Sequence, residues 1–239
     1  MQKEIVRNIL HQVKENYNFC AEEFSKTRAY NWKEIIVLSE KYVKNGDKLL
    51  DVGCGNGRTL QLLKNKDVEY IGIDNSDKLI DQAQATNSSA LTENNNFKFI
   101  TGDILNLPFK DSQFDVLLCV AVLHHIPSRQ LRYKAITEMR RVLKTNGILI
   151  MSNWNLYQPR YRKNIFSSAI KFNGLDFGDI MLKSFSGKGK ERYHHAFTKF
   201  GIKTLFKKAR FKVKECYYEQ NGQKVRWTKG NNLIIVGEK

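Results

Sequence analysis

Short, mostly apolar runs alternate with amphipathic stretches through the middle of the chain. The runs at 49–52, 70–74, 97–100, 114–120 and 148–151 predict five β-strands. Residues 59–64, 77–85 and 129–143 have helical spacing. Ser76 is the expected N-cap of the second of these helices, and Asn146-Gly147 ends the third before the fifth strand. This alternation predicts an α/β fold with a doubly wound, mostly parallel sheet.

The two flanks of this region have different patterns. Residues 2–15 and 33–43 predict amphipathic helices, separated by an aromatic and polar segment. After Trp154 the chain becomes polar and basic with scattered glycines, which predicts an insertion or mobile lid. We then expect a helix at 197–209 and two closing strands, at 212–219 and 232–236, joined by a turn near Asn221-Gly222. We therefore expect one domain over 1–239, divided into N-terminal helices (1–45), a core (46–154), a basic insertion (155–190) and a C-terminal helix with closing strands (191–239).

The composition suits a packed cytoplasmic domain. The chain has 239 residues, 41% of them hydrophobic, and contains no apolar run of the roughly 20 residues that cross a bilayer. Its first residues lack the apolar core of a signal peptide. The four cysteines (Cys20, Cys54, Cys119, Cys216) are far apart without C-x-x-C spacing, which favours reduced thiols over a structural zinc site. We expect no metal and no membrane partner.

The formal net charge of +16 is concentrated in the C-terminal part of the chain. Residues 155–239 contain 19 basic and 6 acidic side chains, a net of +13, whereas residues 1–154 have a net of +3. This asymmetry favours a polyanionic partner, nucleic acid before membrane. The alternative is a generally lysine-rich proteome, in which a high charge requires no partner.

A glycine-rich loop joins the first predicted strand to the helix that follows. Asp51 precedes Gly53, Gly55 and Gly57, and Asp74 ends the second strand. Glycines there let the backbone approach a nucleotide, and a carboxylate at the end of the second strand can accept both hydroxyls of a ribose. An acid before the first glycine would repel a pyrophosphate but suits a cofactor with a cationic amino-acid end. The loop therefore predicts S-adenosylmethionine.

A third acid follows the third predicted strand. In Gly102-Asp103-Ile104, the Asp103 carboxylate could accept a hydrogen bond from an adenine amino group. The alternative is that Asp103 only stabilises a turn or caps a helix. With Leu107-Pro108-Phe109 and Phe114-Asp115, residues 45–155 resemble the class I S-adenosylmethionine-dependent methyltransferases. The resemblance implies a Rossmann-like, seven-stranded sheet. It also implies that Ile104 and Val120 join Asp51, Gly53, Gly55, Gly57, Asp74 and Asp103 in binding the cofactor.

Four flanking segments resemble one subfamily, the tRNA methyltransferases that esterify the carboxymethyl group of a wobble uridine, including the methyltransferase part of an AlkB-type tRNA enzyme. Gly178-Asp179-Ile180-Met181 is a further, weak match. The four segments are Tyr17-Asn18 with Ala21, Phe24 to Arg28 and Trp32; Ala121 to His125 leading into Arg129 and Arg132; Trp154; and Arg192 to Phe197 opening the helix after the insertion. The resemblance implies tRNA, at its anticodon loop, as substrate, and some members need a small zinc-binding activator subunit.

The chemistry of this reaction requires positioning more than base catalysis. A carboxylate is ionised at pH 7 and attacks the methyl carbon of a sulfonium directly, so the protein must align it and exclude water. The resemblance implies Arg28, His124 and Arg192 as catalytic residues, His124 facing the methyl group. It implies Trp154, which would stack on an extruded base, His194 and Arg129 as substrate contacts.

Each of these roles has an alternative. Arg28 could bind the carboxylate of the cofactor, His125 could be a core histidine, and Arg192 could contact an RNA phosphate. The whole chain could instead be a small-molecule methyltransferase acting on a quinone or lipid precursor. It could also be a non-catalytic RNA-binding or scaffold protein, although the intact cofactor acids argue against this.

Overall fold

The computed structural model describes residues 1–28, 32–88, 96–161, 163–165, 174–183 and 191–239. These ranges contain six α-helices and ten β-strands. None of the helices in these ranges is long and apolar enough to cross a membrane.

A central sheet organises the fold. The strands are β1 (Lys48–Val52), β2 (Glu69–Asp74), β3 (Phe97–Thr101), β4 (Phe114–Val120), β5 (Leu143–Trp154), β6 (Asp179–Leu182), β7 (Arg192–His195), β8 (Lys212–Gln220), β9 (Gln223–Val225) and β10 (Asn232–Glu238). Eight of them form one sheet in the order β3-β2-β1-β4-β5-β10-β8-β9. The first five are parallel, and β10, β8 and β9 add antiparallel. The predicted α/β fold with a mostly parallel sheet is confirmed.

The strand count is eight rather than the predicted seven. The additional strand is β9, which pairs with the end of β8 at the edge of the sheet. Asn221 and Gly222 have φ angles of 56° and 86°, a left-handed conformation that reverses the chain tightly enough for β9 to pair at once. The predicted turn at these two residues is therefore confirmed, but it joins β8 to β9 in a hairpin rather than joining β8 to the second closing strand, β10.

The helices follow the predicted apolar periodicity with some shifts. The six helices are α1 (Lys3–Phe19), α2 (Ala21–Thr27), α3 (Lys33–Tyr42), α4 (Asp77–Thr86), α5 (Arg129–Val142) and α6 (Lys199–Lys208). The expected N-cap is confirmed, since the Ser76 hydroxyl accepts from the Leu79 amide at 3.2 Å. The helix predicted at 59–64 is a 3-10 turn (Arg58–Leu63), and α2 occupies a segment for which the pattern predicted no element.

The segment after β5 differs from the prediction. Arg192 to Phe197 does not open a helix: β7 pairs antiparallel with β6, and α6 begins only after Thr198, whose hydroxyl accepts from the Gly201 amide at 3.0 Å. The predicted insertion at 155–190 lies partly outside the described residues, at 162, 166–173 and 184–190. Its described parts include a 3-10 turn and β6. The strand partner of β7 is distant in sequence, so local periodicity could not reveal it.

The core lies on both faces of the sheet. In β1, Leu50 and Val52 belong to one apolar cluster, whereas Leu49 belongs to the other. β4 alternates in the same way, with Leu117 in the first cluster and Leu118 in the second. Burial on both faces explains why these strands are continuous apolar runs in the sequence.

A buried carboxyl pair connects α3 to the antiparallel edge of the sheet. Glu34 and Glu219 are both buried, and the Asn232 amide donates to Glu34 at 2.7 Å and to Glu219 at 3.5 Å. Burial, together with the neighbouring Glu219, raises the pKa of Glu34 to about 7. Neighbouring carboxylates disfavour each other's ionisation, so we expect the contact between these elements to depend on pH.

Candidate active site

A cavity of about 730 Å³ opens at the carboxyl ends of the parallel strands. Its wall includes the residues that follow β1, β2, β3 and β4, together with one face of α1 and the region around Arg28 and Trp32. Open α/β sheets bind ligands at this edge. The cavity therefore lies where the sequence predicted a cofactor.

The three loop glycines have distinct environments. Gly53, Gly55 and Gly57 have φ angles of 75°, 57° and 73°, in the left-handed region that side chains disfavour. Gly53 and Gly55 line the cavity, whereas a Cβ at Gly57 would meet Phe99 at 2.6 Å, so Gly57 serves packing. A Cβ at Gly53 would lie 2.2 Å from Val122. Glycine is therefore a steric requirement at the cavity wall.

Two of the three predicted acids line the cavity. Asp74 accepts hydrogen bonds from the Gly55 and Ser76 amides, each at 2.9 Å, and burial raises its pKa. Asp103 accepts from the Leu105 amide at 2.8 Å. The predicted apolar neighbours Ile104 and Val120 line the same cavity.

The third acid, Asp51, lies behind the glycine loop. Its side chain is 1% exposed and is absent from the cavity wall. One carboxylate oxygen accepts from the Tyr70 hydroxyl at 2.8 Å, and the other has no hydrogen-bond partner among the described residues. Burial raises the pKa of Asp51 to about 6. The structure thus places this carboxylate beneath the loop rather than facing the cavity.

Residues from the flanking segments line another part of the cavity. Arg28, Trp154, Tyr17 and His125 all contribute to the wall. The backbone carbonyl of Arg28 accepts a hydrogen bond from the side-chain amide of Asn56 at 3.4 Å, which connects the end of α2 to the glycine loop. Segments more than a hundred residues apart in sequence therefore meet at one site.

Of the two adjacent histidines, the structure moves the predicted site residue His124 away from the cavity wall. His125 lines the cavity, whereas His124 is fully buried and lies outside the wall. The 3-10 turn Leu123–His125 turns one imidazole toward the cavity and the other into the protein. The prediction that His124 faces the methyl group differs from the structure, whereas His125 is a buried histidine with both ring nitrogens hydrogen-bonded, as its core alternative predicts, and also contributes to the wall.

Hydrogen bonds fix the tautomer of His125. Its Nδ1 lies 3.0 Å from the Tyr193 carbonyl oxygen, which only accepts, so Nδ1 carries the proton. Its Nε2 must then accept from the Tyr17 hydroxyl at 2.8 Å. Burial lowers the pKa of His125 to about 3, so the ring is neutral near pH 7. The Tyr17 oxygen consequently retains lone pairs for other donors.

His124, His125 and His194 form a buried cluster, of which His125 alone reaches the cavity wall among these three. Each offers one ring nitrogen, and these atoms lie within 4.8 Å of one another. Burial lowers the pKa of all three, and the charge of Arg192 lowers it further. The same charge repels a divalent cation, and both nitrogens of His125 already have partners. The chemistry of this cluster therefore fits a neutral aromatic support for Trp154, whose ring stacks on His194 at 5.3 Å.

One predicted catalytic residue, Arg192, and two predicted substrate contacts, His194 and Arg129, lie outside the cavity wall. Arg192 is 2% exposed, reaches the Tyr17 hydroxyl with its Nη1 at 3.4 Å and lies 5.9 Å from the centre of the Trp154 ring, so it contacts the cavity through residues of its wall. His194 is fully buried, and its Nδ1 lies 3.1 Å from the Arg192 carbonyl. Arg129 is exposed in the first turn of α5. β7 thus supports the site from behind.

A buried network that the sequence did not predict holds β6 and β7 against α5. Asp179 accepts from the Tyr193 hydroxyl at 2.6 Å and lies 2.7 Å from His195 Nδ1. Arg132 donates to the Tyr193 hydroxyl at 3.1 Å. The Gly178-Asp179 run was a signal of this network, but its role emerges only from these contacts.

One face of α1 is a further part of the wall that sequence reasoning missed. Lys3, Arg7 and Lys14 line the cavity alongside the apolar Val6 and Leu10. The sequence indicated an amphipathic helix there but gave no signal that its polar side borders a site. These cations give the cavity a positive side in addition to the acids at the strand ends.

Comparisons with known proteins agree with this geometry. Residues 43–210 match the model of the methyltransferase domain family. A putative methyltransferase of Encephalitozoon cuniculi is 33% identical over 82% of this chain and 85% of its own length. A tRNA (carboxymethyluridine(34)-5-O)-methyltransferase of Saccharomyces cerevisiae is 35% identical over 62% of this chain, which spans about half the length of that relative.

Similarity to solved structures extends over most of the fold. A methyltransferase from Methanosarcina mazei, described as S-adenosylmethionine-dependent, superposes with a TM-score of 0.69. It is 23% identical, and the superposition covers 84% of this chain and 96% of that one. This likeness concerns the fold, and the family model and the curated relatives add the activity. The chain therefore belongs to the methyltransferase domain family and is an S-adenosylmethionine-dependent methyltransferase.

Proposed function

We propose that this enzyme methylates the carboxymethyl group of a wobble uridine in tRNA, forming the methyl ester. The observation that carries the proposal is the meeting of Tyr17, Arg28, His125 and Trp154 in one cavity wall. These residues come from the separate segments that resemble the wobble-uridine enzymes. The similarity to the yeast tRNA (carboxymethyluridine(34)-5-O)-methyltransferase supports the same substrate.

The cavity fits S-adenosylmethionine on its acidic side. Left-handed Gly53 and Gly55 leave room that a Cβ would fill, and Asp74 can accept from a ribose. We assign Asp103 to the adenine amino group, with Ile104 and Val120 packing against the cofactor. Asp51 supports the loop from beneath. When bound, the cofactor supplies a methyl group on a sulfonium, an electrophile that needs no further activation.

The remaining chemistry is orientation of the nucleophile. A carboxylate attacks the methyl carbon through an oxygen lone pair, and no proton has to be removed. Arg28 can hold this carboxylate with two N–H donors, or it can hold the carboxylate of the cofactor. Tyr17 and Trp154 shape the wall around it, and buried Arg192 positions Tyr17.

The positive charge of the chain suits an RNA substrate. The net charge is +16, and Lys3 and Arg7 stand at the cavity itself. We propose the anticodon loop as the part recognised, because an unpaired base reaches a cavity at little energetic cost. A small zinc-binding activator subunit is the partner that the resemblance implies. Purification with and without that subunit, followed by the assay below, tests the requirement.

The direct test is transfer of labelled methyl from S-adenosylmethionine to an anticodon stem-loop containing carboxymethyluridine. We expect a methyl ester on the RNA, from which mild alkali releases the labelled methyl group as methanol. We expect no transfer to the same RNA carrying unmodified uridine. Mass spectrometry of the digested nucleosides identifies the product. Methylation of quinone or phenol acceptors without transfer to RNA would replace this proposal by the small-molecule alternative.

A further inference from the structure

An exposed tryptophan stands in a basic loop outside the cavity. Residues 226–230, which we call the tryptophan loop, connect β9 to β10. The Trp227 side chain is 48% exposed, and Arg226 and Lys229 beside it are exposed as well. No acidic residue occurs between positions 220 and 231. The cofactor site uses none of these residues.

We propose that the tryptophan loop is a second RNA contact, with Trp227 stacking on an unpaired base and Arg226 and Lys229 contacting adjacent phosphates. An aromatic ring flanked by cations is the combination that binds single-stranded nucleic acid, because every base has a stacking face and every nucleotide a phosphate. The identification of the RNA as an anticodon loop rests on the proposed function. The binding itself requires no methyl transfer.

The loop is held in shape by buried hydrogen bonds. Asn155, which is fully buried, donates through Nδ2 to the Trp227 carbonyl at 2.6 Å and to the Gly230 carbonyl at 2.8 Å. The Lys229 and Gly230 amides both donate to the Arg226 carbonyl, at 3.0 and 3.1 Å. A loop ordered in advance loses little conformational entropy when it binds. The backbone that carries the exposed ring is therefore pre-organised.

The position of the loop links it to the active site. Asn155 directly follows Trp154 of the cavity wall, and Asn232, just after the loop, pairs with Trp154 across β5 and β10. The anchor of the tryptophan loop is thus the neighbour of a residue proposed to contact the reacting base.

Charge favours RNA over a protein partner for this surface. A hydrophobic interface would be expected to surround Trp227 with apolar side chains, but its sequence neighbours are Arg226 and Thr228. Lys224, on the adjacent β9, adds a further cation, partly engaged with Glu215 at 3.4 Å. Exposed cations in the same loop as an exposed aromatic ring match phosphates and a base.

The experiment measures binding of the full chain to an unmodified anticodon stem-loop by fluorescence anisotropy. We expect Trp227→Ala to weaken binding by about 5- to 150-fold, with Trp227→Phe intermediate, because stacking is lost or reduced. Replacing Arg226 and Lys229 by Gln should reduce the slope of log affinity against log salt by about 1.4. Phe200→Ala is the matched control, since Phe200 is 80% exposed and follows Lys199.

The outcomes separate this proposal from the proposed function. Near-wild-type RNA affinity in Trp227→Ala, or an equal loss in Phe200→Ala, overturns the role of the tryptophan loop. Weaker binding to an activator subunit with unchanged RNA affinity overturns it in favour of a protein contact. Trp227-dependent RNA binding without methylation of carboxymethyluridine supports the RNA contact while contradicting the proposed substrate. Calorimetry with S-adenosylhomocysteine confirms that each variant retains its cofactor site.

Discussion

Asp74 provides the sharpest test of the cofactor site. Each of its carboxylate oxygens accepts one backbone amide, from Gly55 and from Ser76, both at 2.9 Å. An ionised carboxylate has about four acceptor positions, so roughly one position remains on each oxygen. Asp74 lines the cavity, and we expect these two positions to take the two hydroxyls of the cofactor ribose.

The expected cost of changing Asp74 follows from this count. In Asp74→Asn, one oxygen becomes an amide nitrogen that cannot accept from a backbone amide or a hydroxyl. Only the bond to the ribose hydroxyl forms on binding, and a hydrogen bond to a charged group contributes about 1.5–3 kcal/mol, so its loss should weaken cofactor binding by about that amount. That corresponds to a dissociation constant raised by about 10- to 150-fold.

Calorimetry with S-adenosylhomocysteine and its 2′-deoxy analogue measures the interaction as a double-mutant cycle. Removing the hydroxyl should weaken binding to the wild-type protein by about tenfold or more, but should hardly change binding to Asp74→Asn. Asn75→Ala is the matched control, because Asn75 also lines the cavity and is exposed. The assignment of Asp74 to the ribose is refuted if both proteins lose the same factor with the analogue.

Three further predictions concern stability and the support of the site. Because burial raises the pKa of Glu34 to about 7, above its usual 4.5, the free energy of unfolding should fall by about 2 kcal/mol as pH rises through that window. Glu34→Gln should flatten this profile in chemical denaturation, and a flat wild-type profile would contradict the shift. Gly53→Ala should lower the free energy of unfolding by more than the roughly 1–2 kcal/mol that a left-handed backbone conformation costs an alanine. The additional loss is expected because the new Cβ would lie 2.2 Å from Val122. Adding Val122→Ala should recover only the steric part, and full recovery would argue against backbone strain. Arg192→Ala should lower the free energy of unfolding by about 3 kcal/mol, because the side chain is buried. The same variant should weaken RNA methylation while its cofactor affinity, measured by calorimetry, stays near wild type. Unchanged stability would contradict the burial of Arg192.

Much of the fold could be predicted because its signals are local. Strands buried on both faces, such as β4, are continuous apolar runs, and helices such as α5 have a helical repeat of apolar positions. The acids Asp74 and Asp103 follow strands directly, so the parallel order of the strands was enough to bring them to one edge. The glycine loop was recognisable for the same reason.

The support behind the cavity could not be predicted in this way. β7 is a strand because β6 pairs with it, although the same residues had been expected to open a helix. Asp179 and Arg132 meet at Tyr193 from elements distant in sequence. No periodicity within a segment records such a partner, because the pairing is a property of the assembled chain.

The sequence by itself determined the α/β alternation, the cofactor loop and the acids at the strand ends, since these depend on local conformation and on the order of elements. The tertiary structure alone decided that His125 rather than His124 faces the cavity, that Asp51 lies beneath the loop, and that Arg192 contacts the cavity through residues of its wall. Neighbouring residues in a tight turn can point in opposite directions, and which side chain becomes buried depends on packing against segments more than a hundred residues away.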